Sequence, residues 1–190
     1  MIKLNIVYLR FYRHTPCFWH LYVTSTSKGR NMNTIQRILV AIDFSQFSKY
    51  ILEYAVNLAE PFNAELVLAN VINQRDIDLV SILSVNVNSM SAQEYIDQTR
   101  NERLQAMDAM IHDLQKAHLK YQKIIKTGTP FVELVQTIND TQSDLLVMGS
   151  KGRGNIADVL LGSTAEKLFR RSPVPLLSVR IGKFCRKFNE

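Results

Sequence analysis

Two pairs of glycines and a serine carry the chemistry most visible in this sequence: Gly149, Gly152, Gly154, Gly162 and Ser163 punctuate one stretch, with Lys151 and Arg153 between them. An apolar run, Asp144-Leu-Leu-Val-Met148, precedes it, and a helical pattern from Ser163 to Arg170 follows. A strand ending in a glycine loop that feeds a helix N-terminus is suited to phosphate. Glycine lets backbone amides approach an anion closely, and the helix end adds unpaired N–H groups and partial positive charge. The loop therefore reads as a phosphate cradle, most simply for a nucleotide.

The elements that must hold such a loop alternate strand and helix. Ile38–Ile42 reads as a continuous apolar strand covered on both faces, and Leu66–Val71, Tyr121–Ile125, Asp144–Met148 and Val174–Val179 complete five strands. Phe47, Tyr50, Ile51, Tyr54, Ala55 and Leu58 recur at helical spacing, predicting a helix from about Ser45. Ser91-Ala-Gln-Glu94 fits a capping box, and Leu104, Met107, Ile111 and Leu114 extend an apolar stripe beyond it. Pro130 suits the first turn of a helix running to about Thr141. The stretch from Asn73 to Met90 shows no clear period and reads as a long connection. This alternation predicts an α/β fold with a parallel sheet and right-handed crossovers.

The spacing excludes several familiar sites. No window supplies the G-x-x-x-x-G-K-[ST] of a P-loop. Gly152-Arg-Gly154-Asn-Ile-Ala157 meets the looser dinucleotide pattern, but it lies in the last βα unit and lacks the expected downstream carboxylate. There is no Gly-x-Ser-x-Gly elbow. Cys17 and Cys185 stand in no metal spacing, and His112 and His118 are six apart on an expected helix, facing different ways.

The glycine set G-x2-G-x9-G-[ST], met at Gly149, Gly152, Gly162 and Ser163, resembles that of nucleotide-binding members of the universal stress protein family. Arg37-Ile-Leu-Val-Ala-Ile-Asp43-Phe-Ser45 resembles the family's opening strand and its terminal aspartate. Gly128-Thr-Pro130 is similar to the loop entering the family's third helix, and Pro173 to Arg180 to the closing strand. The likeness covers roughly Asn33 to Arg180. It implies a single-domain open five-stranded parallel sheet of order 3-2-1-4-5, helices on both faces, of the adenine nucleotide alpha hydrolase-like type. Ligands of such sheets sit where the strand order reverses, between the first and fourth strands.

The resemblance implies that ATP, with Mg2+, is held between the loops after strands one and four. Its contacts would come from Ile42, Asp43, Val71, Met148, Gly149, Lys151, Gly152, Arg153, Gly162, Ser163 and Thr164. Asp43 would accept from the nucleoside, and the backbone of Val71 would read adenine. Each has a plainer reading: Asp43 or Ser163 as a helix cap, Val71 as strand core, the glycines as turn geometry. Binding members often have a hydroxyl residue where this chain has Ala165, with Thr164 beside it. The implied role is a regulatory or stress-response module in the cytoplasm, a homodimer through its last strand. The alternatives are a slow ATPase or phosphotransferase, or a nucleotide-free dimeric interaction protein. Signatures of ATP-activating relatives, HxGH and SGGxDS, do not occur, so at most slow ATP hydrolysis is expected.

With 190 residues, 46% hydrophobic and 21% charged, the chain fits one domain with a full core. Its charge of +6 sits at the ends: Lys3, Arg10, Arg13, Lys28 and Arg30 give +5, and the last ten residues +2, leaving −1 between. A nucleic-acid footprint belongs on a folded face, so no nucleic acid is expected. Residues 1–32 read as an N-terminal extension, disordered or a translation artefact, 33–181 as the domain and 182–190 as a basic tail. Arg10, Arg13 and His14 interrupt any signal-like apolar run, and no segment is long enough to span a membrane.

Overall fold

β1 (Arg37–Ala41) is apolar after its first residue, and its three central residues, Ile38, Leu39 and Val40, are fully buried. A strand apolar on both sides must be covered on both faces, and the rest of the chain supplies the covers. In the computed structural model, which describes residues 35–86, 90–114, 119–150 and 161–179, the elements follow in this order. They are β1, α1 (Ser48–Ala59), a 3-10 turn (Glu60–Phe62), β2 (Glu65–Asn73), α2 (Gln74–Asn86), α3 (Ala92–Asp113), β3 (Tyr121–Gly128), α4 (Pro130–Thr141), β4 (Leu145–Gly149), α5 (Ser163–Arg171) and β5 (Leu176–Val179).

The five strands form one parallel sheet of order β3-β2-β1-β4-β5, the order that the resemblance implies. On one face Ile38, Val40, Leu66, Leu68 and Val147 pack against Ile51, Leu52 and Ala55 of α1 and Met107 and Ile111 of α3. On the other, Leu39, Val67, Leu146 and Leu176 meet Leu134 and Ile138 of α4 and Leu168 of α5. At the N-terminal edge Asp144 Oδ2 accepts from the amides of Gln36 (2.8 Å) and Arg37 (3.0 Å), tying the starts of β1 and β4.

Three expectations need correction. The stretch after Asn73 is not an aperiodic connection but holds the 13-residue helix α2. Its period is hidden because, among its described side chains, only Ile77 is buried, while Leu79, Ile82 and Leu83 face outward at 59–63% exposure. Its start is instead set by polar contacts, Arg75 N–H to Asn73 Oδ1 and Gln74 Nε2 to Asp78 Oδ1. Second, α1 begins at Ser48 rather than Ser45, because Phe44 takes a left-handed φ of 58° and a turn closes from Ser48 N–H to Ser45 O. Third, the buried line of α1 is Ser48, Ile51, Leu52, Ala55, Val56 and Ala59, and Tyr50 is exposed. At about 3.6 residues per turn these positions share one side of the helix and Tyr50 falls nearly opposite them.

The capping box at Ser91 and Glu94 is formed in both directions, and Pro130 opens α4. α3 ends at Asp113, and His118 lies outside the described residues.

Candidate functional site at the C-terminal edge of the sheet

The strand order reverses between β1 and β4, and the next described helices after them, α1 and α5, lie on opposite faces, the arrangement that leaves a crevice in an open α/β sheet. Ala41 stands opposite Met148 in the ladder. Ile42 and Asp43 therefore leave the sheet at the end where Gly149 and Ser150 follow Met148. Residues 106 positions apart in sequence thus share one edge.

Asp43 is half-buried and its two carboxylate oxygens differ. Oδ1 accepts from the Ser45 amide and the Ser48 hydroxyl, both at 3.0 Å. Oδ2 is buried and has no hydrogen-bond partner. The N-cap of α1 is Phe47, without a side-chain cap bond, so Asp43 is not that cap. A buried acceptor left unpaired costs about 1–3 kcal/mol. Such an atom marks a place where a donor is missing.

On β2, the Ile42 amide donates to Ala69 O at 2.9 Å, which fixes which residues face β1. Strand alternation then turns the N–H and C=O of Val71 toward the same side. The β1 ladder stops at Ala41 opposite Ala69, so these groups face the space β1 has left.

On the far side, Gly162 is the N-cap of α5 and carries no side-chain cap. The first intrahelical bond is Glu166 N–H to Gly162 O at 2.8 Å. The amides of Ser163, Thr164 and Ala165 precede it and have no partner within the helix. Ser163 is thus the first helical residue, exposed, and not the cap. Ala165 is buried with Val71 and Met148 in one cluster, a packing role that leaves the adjacent Thr164 half-buried. The Gly162 amide donates to Ser150 O (2.9 Å) and the Ser150 amide to Val179 O (3.0 Å), which holds the start of α5 against the ends of β4 and β5.

Of the residues expected in the site, Ile42, Asp43, Val71, Met148, Gly149, Gly162, Ser163 and Thr164 gather at this edge. Lys151, Gly152 and Arg153 lie outside the described residues. Two residues were missed. Asn70, buried, donates through Nδ2 to Ile42 O at 2.6 Å. Arg103 of α3 donates through Nη1 to Asn70 Oδ1 and, at 3.2 Å, to Val71 O, and its guanidinium lies 5.9 Å from the Phe44 ring centre. The signals existed: Asn70 interrupts an apolar strand, and Arg103 precedes Met107 and Ile111 at four-residue spacing on the buried stripe.

Among the described residues no group of three His, Cys, Asp or Glu could hold a metal ion, and no helix is long and apolar enough to cross a membrane.

Comparison with known proteins extends this picture. The model of the universal stress protein family matches residues 34–180. Universal stress protein MJ0577 of Methanocaldococcus jannaschii is 29% identical over 153 residues, covering 76% of this chain and 94% of that protein. Universal stress protein YxiE of Bacillus subtilis is 29% identical over 148 residues, covering 76% and 98%. The solved structure of MJ0577 matches with a TM-score of 0.68 at 27% identity, over 79% of this chain and 99% of that one. A universal stress protein family protein from Arabidopsis thaliana with AMP bound shares the fold, with a TM-score of 0.51 at 17% identity over 78% and 94%.

Proposed function

The chain belongs to the universal stress protein family, and from that premise we propose that it is an ATP-binding regulatory module of the stress response. The unpaired, buried Oδ2 of Asp43 at the strand-order reversal is the observation that carries this reading. A ribose hydroxyl donating there would satisfy it. The free amides at the start of α5 suit a phosphate group, and the Val71 backbone suits the edge of a purine. Gly149, Lys151, Gly152 and Arg153 would complete the phosphate contacts, with Ile42 and Met148 lining the base and ribose. The domain so used would be residues 33–181, with 1–32 and 182–190 outside it.

The residues fit the nucleotide better than they fit a metal held by protein side chains. Mg2+ would therefore come with the phosphates, which it neutralises when bound. Hydrolysis needs an oriented water and charge stabilisation, and no carboxylate among the candidate residues other than Asp43 is available to orient one. Asp43 is committed through Oδ1 to Ser45 and Ser48. Binding, with slow hydrolysis at most, is the role the chemistry favours. Occupancy would bias a homodimer or a protein partner in the cytoplasm.

Mass spectrometry of whatever nucleotide copurifies, followed by calorimetry with ATP and NADPH, tests the reading. ATP should bind with a dissociation constant on the order of micromolar, the range of many reversible ligands, and NADPH much more weakly. The reverse preference would replace it with a dinucleotide site.

A further inference from the structure

The polar chain that joins α3 to the crevice has no place in the phosphate and ribose contacts above. Asn70 lies on the face of β2 that meets α1 and α3, following Leu66 and Leu68, where an apolar side chain would pack more simply. Its amide nitrogen holds the Ile42 carbonyl, one residue before Asp43, and its amide oxygen accepts from Arg103. Arg103 also holds the Val71 carbonyl. A guanidinium only donates, in a fixed planar fork, so all these bonds constrain one another. Arg103 holds the end of β2 directly and lies over the Phe44 ring, and through Asn70 it is linked to the end of β1.

We propose that Arg103 is a base-positioning residue, which fixes the Val71 peptide so that the crevice prefers a 6-amino purine to a 6-oxo purine. The proposal rests on the adenine-nucleotide reading of the site. A carbonyl oxygen has two lone pairs. Arg103 engages Val71 O from the α3 side, and the second direction is left for a donor in the crevice. The exocyclic amine of adenine is such a donor, whereas the O6 of hypoxanthine is an acceptor and would be repelled. Holding the peptide in place beforehand removes an ordering cost from binding. Arg103 touches no ligand in this scheme. It acts through Val71 and, by way of Asn70, through Ile42.

A simple tie between helix and sheet would serve the fold without serving base choice, and the two roles separate experimentally. Arg103→Met keeps a long unbranched side chain and removes every donor, the guanidinium over Phe44 included. Calorimetry on the full chain would compare ATP, ITP and inorganic tripolyphosphate for wild type, Arg103→Met and Asn70→Ala. In Arg103→Met, ATP affinity should fall by up to about tenfold, the upper range for weakening the one neutral hydrogen bond between Val71 O and the base. The ATP-to-ITP preference should shrink toward unity, and tripolyphosphate should bind as in wild type. Asn70→Ala should lower the same preference in part, and combining the two should add little, as members of one network do. If Arg103→Met keeps the wild-type preference, or loses ATP and tripolyphosphate by one factor, the positioning role is overturned. Should that variant not fold, an unchanged preference in Asn70→Ala overturns it equally. A wild type that binds tripolyphosphate but no adenine nucleotide would remove the underlying reading, and Arg103's role with it.

Discussion

The Ser48 hydroxyl donates to Asp43 Oδ1 at 3.0 Å, from the first residue of α1 back to the segment that ends β1. With the Ser45 amide on the same oxygen, the carboxylate is held in one rotation, and Oδ2 is the oxygen left without a partner. Orientation of this kind is what a binding carboxylate requires.

Asp43→Asn should therefore keep the turn through its remaining oxygen while replacing the unpaired acceptor with an amide donor. ATP affinity should drop by about ten- to a hundredfold, the range for losing a hydrogen bond to a charged group. Thermal stability without nucleotide should change little. Calorimetry alongside a thermal melt checks both. Equal ATP affinity in the variant would show that Oδ2 does not meet the ligand.

This arrangement was only half legible in the sequence. The strands could be read because residues such as Ile38–Val40 and Leu66–Leu68 are buried on both faces, so composition alone marks them. The edge shared by Asp43 and Gly149 followed from strand order, which the family resemblance implied. Helix α2 could not be read, because Leu79, Ile82 and Leu83 point outward and break the link between apolarity and the core. The Arg103–Asn70 pair spans 33 positions and exists only once α3 lies across β2. No local pattern encodes that distance.

Gly128 holds a different kind of constraint. Its φ is 141°, and a Cβ there would lie 2.7 Å from Glu133 Oε1. Gly128→Ala should destabilise the fold by about 1–3 kcal/mol, most of it backbone strain. Adding Glu133→Ala should recover only the steric part. Urea unfolding of the single and double variants measures the split. Full recovery in the double variant would mean the φ value is not the source of strain.

Acid should loosen the start of α3. The Ser91 backbone amide, at 2.7 Å, and then its side chain hold the Glu94 carboxyl below its ordinary value of 4.5. A group depressed on folding contributes stability that is present above the unfolded value and lost as pH falls through the folded one. The capping contribution should thus be intact near neutrality and be lost progressively as pH falls below the ordinary 4.5 and through the lowered folded-state value. Glu94→Gln can still accept from the Ser91 amide but does not titrate. Amide shifts of Ser91 and Glu94 followed by NMR should move with acid in wild type, and the Ser91 shift should stay flat in the variant. An acid response of Ser91 that persists in Glu94→Gln would assign it elsewhere.

The free edge of β5 bears on assembly. Pro175 O accepts from the Leu146 amide and Val179 O from the Ser150 amide, so residues 175, 177 and 179 face β4. Leu176 and Ser178 then direct their N–H and C=O groups away from it, along an edge that a sheet must protect. Their side chains are buried beneath the helices, so a partner strand would meet backbone rather than side chains. Leu177 belongs to the core, and a charge there would report on folding instead of pairing. Ser178→Pro is the sharper probe. It removes one outward donor, leaves the β4 ladder intact, and discards a hydroxyl whose Oγ has no partner. Wild type should sediment as a dimer at roughly tens of micromolar, a range where weak contacts form. The proline variant should be monomeric with its melting temperature nearly unchanged. A wild type that stays monomeric at that concentration, or a proline variant that stays dimeric, would rule out pairing through this edge.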